Sequence, residues 1–314
     1  MLLHTLEETV SQYLFIVLFA PLFAGILANL KAKVESRKGP GILQPYHDLA
    51  KLLRKETVVP QPSGNIFRYS PYLLFGIYSL IALIIPVLIP DPVFFTASAD
   101  FLGGAILFSL AAFVKMLSAM DSGNSYSVMG VSRAMSFNFL SEGTLITVFF
   151  AVSLMTGTNN PYVTNHFLTA NSISIVSLDH VFPTLAFAML FLYETGKIPV
   201  ESSGLMELGM IEEGLVYEYS GKLLAISKWS SYMKQCLLGS VLLNVFLVPW
   251  GLYSMGYAFL IDFPVMIAKW LFLIVVVVII ETTLAKLRLF RIMDYLAVAF
   301  TFSILFLIFS EVIL

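Results

Sequence analysis

A single cysteine, Cys236, stands in a chain of 314 residues. One thiol excludes an internal disulfide, and an iron–sulfur cluster held by this chain alone would normally need about four thiolates. Any electrons are therefore carried by another molecule. Charge is scarce too: Asp, Glu, Lys and Arg make up 12% of the residues against 58% hydrophobic. No P-loop or dinucleotide glycine fingerprint is present, and His4, His47, His166 and His180 lack metal-ligand spacing. The serines have no histidine and acid partners arranged as a triad. The first ten residues hold Glu7 and Glu8 and no basic residue, unlike the n-region of a secretory signal, so the first helix is expected to be retained. No low-complexity tract, second domain or inverted repeat interrupts the chain, and residues 1–314 read as one membrane domain.

Long apolar runs are what the sequence does have. Its mean hydropathy is +0.87, and the apolar blocks are about 20 residues long, enough to cross a hydrocarbon layer of about 30 Å. A β-barrel would instead show alternation over strands of roughly ten residues, and continuous runs such as "WLFLIVVVVII" argue for helices. The expected class is all-α: a polytopic bundle of eight spans at 11–33, 70–90, 100–120, 136–157, 178–198, 228–253, 261–282 and 294–313. Lys and Arg are lopsided between them. Lys31, Lys33, Arg37, Lys38, Lys51, Arg54, Lys55 and Arg68 fall in the first loop, Lys222 in the fifth, and Lys286, Arg288 and Arg291 in the seventh. The loops at 91–99, 158–177 and 254–260 have none. By the positive-inside rule the odd-numbered loops face the cytoplasm and both termini lie outside, in a cell membrane.

Two loops stand out. After "GPG" at 39–41, Ile42, Leu43, Tyr46, Leu49, Ala50 and Leu53 recur at helical spacing, with Gln44, His47, Asp48, Lys51 and Lys55 opposite. This pattern predicts an amphipathic interfacial helix that lies on membrane lipid or seats a protein partner, and not nucleic acid. The fifth loop sets Glu194, Glu201, Glu207, Glu212, Glu213 and Glu218 among Leu205, Met206, Leu208, Met210, Ile211, Leu215 and Val216. Acids among apolar residues beside a bilayer suggest partly desolvated carboxylates fit for proton handling; a salt-bridged helix under a soluble partner is the alternative.

Ionisable residues inside the spans mark function or a paired contact. They are Lys115, Asp121, Glu142, Asp179, Glu194, Lys269, Glu281, Asp294 and Glu311. Glu142, between "MSFNFLS" and "GTLITVFFAVSL" with no adjacent base, is the strongest; Lys115 and Lys269 could snorkel, and Asp179 and Glu311 lie near the outer face.

"RKGPGILQPYHDLAKLLRKE", Arg37 to Glu56, resembles the first cytoplasmic loop of the NADH dehydrogenase subunit 1 family, the heel of respiratory complex I. "SGNSYSVMGVSRA" is similar to its second, with Glu142 nine residues after Arg133; "ETGKIPVE" with "EYSG" resembles its third and "LAKLRLFRIMDYL" its last. Quinone-reducing members typically carry Asn-Arg-Ala-Pro-Phe-Asp in the third loop, and an Arg and a Pro-Arg pair before the last. This chain has "GKIPVESSGLMELGMIEEGLVYEYSG" and Glu281 with "TTLAK", which look more like the corresponding subunit of membrane-bound, energy-converting nickel-iron hydrogenases.

The resemblance implies a non-catalytic subunit of an oxidoreductase complex that binds no cofactor itself. A nickel-iron centre and iron–sulfur clusters would sit in a large and a small partner subunit, and antiporter-like membrane subunits would lie alongside. Glu142, Glu194, Glu201, Glu207, Glu212, Glu213, Lys115, Asp121, Lys269, Glu281 and Asp294 would relay protons or ions. Arg37, Lys38, Gly39, Pro40, His47, Asp48, Lys51, Arg54, Lys55, Arg133, Glu218 and Tyr219 would dock partners. A quinone-reducing heel, the equivalent subunit of a sulfur-reducing complex and, from another class, a stand-alone secondary transporter are the alternatives.

Overall fold

The computed structural model describes residues 2–88, 100–170, 177–201, 211–252 and 259–313, and these form helices with no strand among them. In chain order they are α1 (Leu2–Val34), α2 (Gln44–Arg54), α3 (Asn65–Ile84), α4 (Phe101–Asp121), α5 (Ser125–Thr156), α6 (Pro161–Ala170), α7 (Leu178–Glu194), α8 (Gly221–Val241), α9 (Phe259–Thr283) and α10 (Arg291–Ile313). A 3-10 turn, Gly214–Val216, precedes α8, and a π-helical turn, Leu242–Leu247, continues it. The stretches 9–34, 65–84, 101–121, 125–156, 262–283 and 291–308 are long and apolar enough to cross a membrane.

Each expected span coincides with a helix, but two fall short of a full apolar crossing. α7 has 17 residues, and α8 carries Lys222, Lys228 and Lys234. The boundaries also move. α5 starts at Ser125, within the expected loop, because the Asn124 side chain accepts the Tyr126 N–H at 2.8 Å and caps the helix there. α3 starts at Asn65, where Asp121 accepts the Phe67 N–H at 2.9 Å, and ends at Ile84, shortly before Pro86. α6 occupies a stretch expected to be loop: Asn160 accepts the Tyr162 N–H at 3.0 Å, and Pro161 opens the helix.

Lipid tails are as apolar as Leu, so close packing and hydrogen bonds, not burial from water, hold helices together in a bilayer. The bundle uses both. Trp270 stacks on Phe23 with ring centroids 4.6 Å apart, and Phe187 stacks on Phe246 at 4.9 Å. α9 approaches α8 this closely because Gly239 has no Cβ; one there would lie 2.4 Å from the Trp270 ring. Trp229 Nε1 donates to the Val17 carbonyl at 3.0 Å, Tyr295 OH to the Met189 carbonyl at 3.0 Å, and Thr147 and Ser303 share a bond of 2.7 Å. Each such cross-helix bond contributes about 0.6–2 kcal/mol.

The first, third, fifth and seventh loops meet at one end of the bundle. Ser220 of the fifth loop bonds Val58 of the first, donating to its carbonyl at 2.8 Å and accepting its N–H at 2.9 Å. Asn124 donates to Glu218, and the Leu287 N–H of the last loop donates to the Pro199 carbonyl at 2.8 Å. α2 lies across this end against α1 and α8. Its burial differs from the expected stripe: Pro45 and Leu49 are buried, whereas Ile42, Leu43, Ala50 and Leu53 are exposed. The outward set that carries His47, Lys51 and Arg54 therefore carries apolar residues too.

A candidate ion-relay site at the basic end

Five helices and the fifth loop converge on a cavity enclosing about 480 Å³ of non-atom space, its mouth included, between Tyr78, Asn138, Tyr193 and a set of charged side chains. The charges form a chain. Lys115 of α4 donates to Glu212 of the fifth loop, and Glu212 also meets Lys234 of α8 at 3.4 Å. Lys234 meets Glu194, the last residue of α7, at 2.6 Å. Glu194 accepts a hydrogen bond from Ser141 of α5. Acid and base alternate from the loop to the bundle interior, and no member is more than about a third exposed.

Glu201 supports the loop end of the chain. It is buried, and its two carboxylate oxygens accept the N–H of Ile211 at 2.8 Å and of Glu212 at 3.1 Å, which pins Glu212 over the cavity. Gly130 of α5 and Gly214 of the 3-10 turn let their backbones touch; a Cβ on either would lie 3.2 Å from the other's Cα. Burial pushes the Glu201 carboxyl up, against the pull of the two N–H groups. Burial pushes Glu213 up as well, opposed by Lys228. For Glu212 burial acts upward, but the Lys115 and Lys234 ammoniums outweigh it and hold the carboxyl down at about 2.

This predicts a pH dependence. A carboxyl depressed from 4.5 to about 2 stabilises the fold fully above its unfolded value and loses that contribution as pH falls toward its folded value. Thermal unfolding of the Glu212→Gln variant should therefore show a deficit at about pH 6 that shrinks toward about pH 3. A deficit independent of pH would contradict it.

Several expected relay residues stand elsewhere. Glu142, the neighbour of Ser141, is half-buried, feels the charge of Glu194 and makes no ion pair among the described residues. Glu281 meets Lys31 at 3.3 Å, near Lys197, whose amine burial pushes down and Glu281 pulls back. That cluster joins α1 and α9 and is separate from the cavity. Asp121 caps α3 instead of facing the cavity, since its carboxylate is taken by the Phe67 N–H. Asp294 is exposed on the first turn of α10, where an acid suits the helix N-terminus. Lys269 lies at the opposite end of the bundle. Glu207 is outside the described residues, as are the side chains of Asp179 and Glu311.

The docking residues divide similarly. Lys38, Pro40, His47, Lys51, Arg54 and Lys55 are exposed, Arg37 is exposed and paired with Glu35, and Gly39, Asp48 and Arg133 are half-buried. Tyr219 is not available to a partner. It is buried, stacks on Phe67 at 4.3 Å, shares a bond of 2.6 Å with Ser70 and donates to the Phe67 carbonyl at 3.1 Å. Glu218 is likewise committed inward, to Asn124. Lys234, the centre of the ionic chain, escaped the sequence reading. Its signal, a base within a membrane helix, was the one that picked out Lys115, but here Lys222 and Lys228 on the same helix masked it.

Among the described residues no three His, Cys, Asp or Glu side chains come together to hold a metal. The arrangement suits charge and proton exchange along hydrogen-bonded ion pairs. A multi-pass helical membrane protein with an ionic chain at its loop end is the class so defined.

Comparison with known proteins places the chain in a family. The NADH dehydrogenase family model matches residues 8–311, and the chain belongs to that family. It is 30% identical over 266 residues to formate hydrogenlyase subunit 4 of Escherichia coli (strain K12), covering 82% of this chain and 83% of that one. It is 30% identical over 282 residues to hydrogenase-4 component C of the same organism, covering 89% and 87%. Against NADH-ubiquinone oxidoreductase chain 1 of Mytilus edulis it is 31% identical over 223 residues, covering 66% and 67%. A chain in the structure of the membrane-bound sulfane sulfur reductase, an archaeal respiratory membrane complex, has the same fold, with a TM-score of 0.79 at 21% identity over 96% of this chain and 99% of that one. The chain is a membrane subunit of a complex of this kind.

Proposed function

We propose that the chain is the membrane-anchor and coupling subunit of a hydrogen-evolving, ion-translocating, membrane-bound nickel-iron hydrogenase. The ionic chain Lys115–Glu212–Lys234–Glu194–Ser141 carries this reading. It links a loop at the membrane surface to the interior of α5, as a subunit passing protonation changes from a redox arm to neighbouring membrane subunits requires. The two bacterial hydrogenase relatives favour the hydrogenase form.

In this reading the basic end faces the cytoplasm of a cell membrane crossed eight times, and α7 and α8 complete the count. The outward residues of α2, with Lys38 and Pro40, seat a nickel-iron large subunit and an iron–sulfur small subunit, which hold the metals. A change of charge above the fifth loop alters the balance between Glu201 and the ion-paired Glu212, and Glu194 passes the shift to Glu142. Glu142 hands it sideways to antiporter-like subunits. Glu194 and Glu142 are not directly bonded, so this step uses a water or a turn of one side chain.

The complex purified in mild detergent tests the assignment. Nickel and an iron–sulfur small subunit should co-purify with the chain, and reduced ferredoxin should yield hydrogen. Nickel-free preparations that reduce quinone or sulfur would replace the hydrogenase with one of those arms. A chain purified without any redox subunit would reject the complex altogether.

A further inference from the structure

A second buried polar cluster lies at the end of the bundle away from the basic loops. Lys269, three turns into α9, is 6% exposed and donates to Asn244 Oδ1 at 3.0 Å. Asn244 belongs to the π-helical turn that continues α8, and its Nδ2 donates to the Val87 carbonyl at 3.1 Å and the Pro86 carbonyl at 3.3 Å. The widened turn frees two carbonyls for side chains: Asn244 O accepts Asn165 Nδ2 at 2.8 Å, and Phe246 O lies 2.9 Å from His180 Nε2. His180 is 2% exposed, and its Nδ1 is buried without a hydrogen-bond partner among the described residues. Asp262, 2% exposed, stands two turns before Lys269 on the same helix and acts on its charge.

Neutral donors would suffice to hold such freed carbonyls, as Asn165 does at this turn and Gln12 does at the end of α3. Gln12 clasps the end of α3 by donating to the Ala82 and Ile85 carbonyls, each at 2.9 Å. An ammonium in a bilayer costs several kcal/mol, and a group this costly tends to be functional. The side chain of α9 leans toward the helix N-terminus, the end away from the basic loops. Asn244 is ten residues beyond Lys234 along one helical run, roughly 15 Å. Between them Leu237, Leu238 and Val241 are fully buried. Ser240, the one hydroxyl between them on this run, is committed to the Cys236 carbonyl and to Trp270 Nε1, so a largely apolar stretch separates the two polar clusters.

We propose that Lys269, with Asp262 and the π-helical turn, is a second proton-exchange site, distinct from the cavity at the basic end and set to trade its proton toward the opposite face. The charged and titratable neighbours are Asp262 on its own helix and His180 on α7. α1 carries no charged residue between Thr9 and Leu30, only Tyr13, which is bonded to Ser79. α8 and its π-helical turn carry none between Gln235 and Leu247, only the buried Cys236, and α6 adds the buried Tyr162 and the exposed His166. Proton exchange here needs no particular redox arm. A lysine ammonium can release a proton and become a neutral amine, which a guanidinium in a protein does not do.

The test is nitrogen-15 NMR of the full chain in lipid vesicles, with labelled lysine and the Lys269 resonance assigned by its absence from Lys269→Arg or Lys269→Gln. The Nζ signal should pass from ammonium to amine as pH is raised. Asp262→Asn should move that midpoint down by roughly one unit, since it removes a neighbouring anion. Lys234→Met should leave the midpoint unchanged, because that lysine belongs to the other cluster. An Nζ that stays ammonium up to about pH 11, above the ordinary lysine range, would overturn the proposal. So would a midpoint that follows Lys234→Met.

Discussion

Replacing Lys234 with methionine is expected to stop ion translocation by the intact complex and to destabilise the chain by about 3–5 kcal/mol, the cost of breaking a buried ion pair from one side. Lys234 sits between Glu194 at 2.6 Å and Glu212 at 3.4 Å. Without it Glu194 loses its cation, and Glu212 keeps only Lys115. The double variant Lys234→Met with Glu194→Gln should recover much of the stability, since no unpaired carboxylate then remains at that point, while translocation stays lost. Thermal unfolding and vesicle assays on the single and double variants measure the coupling. Additive losses of stability would mean that the pair contributes nothing.

Glu142→Gln should give the second large effect, of a different kind. Glu142 makes no ion pair among the described residues and is half-buried beside Ser141, so its neutral isostere breaks no ion pair among them. Assembly and thermal stability should remain near those of the unsubstituted protein. Ion translocation should fall about a hundredfold, the low end of what loss of one proton-transfer group costs. Translocation at the original level would remove Glu142 from the path and leave the route ending at Glu194.

The contrast between these two residues shows what was legible in the sequence. Glu142 was visible because an acid in an apolar run needs no partner to be noticed. Lys115 and the loop acids were visible for the same reason, yet their pairing was not, because Lys115 and Glu212 are brought together only by the return of the fifth loop over α4. Lys234 lies in a helix whose polar content already blurred its identity as a span. Local composition could not separate it from the exposed Lys222 and Lys228.

The misplaced residues fail for a related reason. Asp121 and Asp294 occupy helix ends, where one acid can serve a cap, a dipole or a relay, and only the geometry at the Phe67 N–H distinguishes these. Tyr219 sits in a motif that resembles a family loop, but its ring belongs to the core with Phe67. Helix existence was well marked by twenty-residue apolar blocks. Helix starts were not, because Asn124 and Asp121 cap them from positions whose partners a linear pattern does not reveal.

On the proposed reading, coupling of hydrogen evolution to ion movement runs through the ionic chain of this subunit. It is tested most directly by following both together in vesicles that hold the whole complex, with and without Lys234→Met. The unsubstituted complex should evolve hydrogen from reduced ferredoxin and build an ion gradient, and the variant should build none even where hydrogen is still formed. A Lys234→Met complex that evolves hydrogen and builds the full gradient would contradict it.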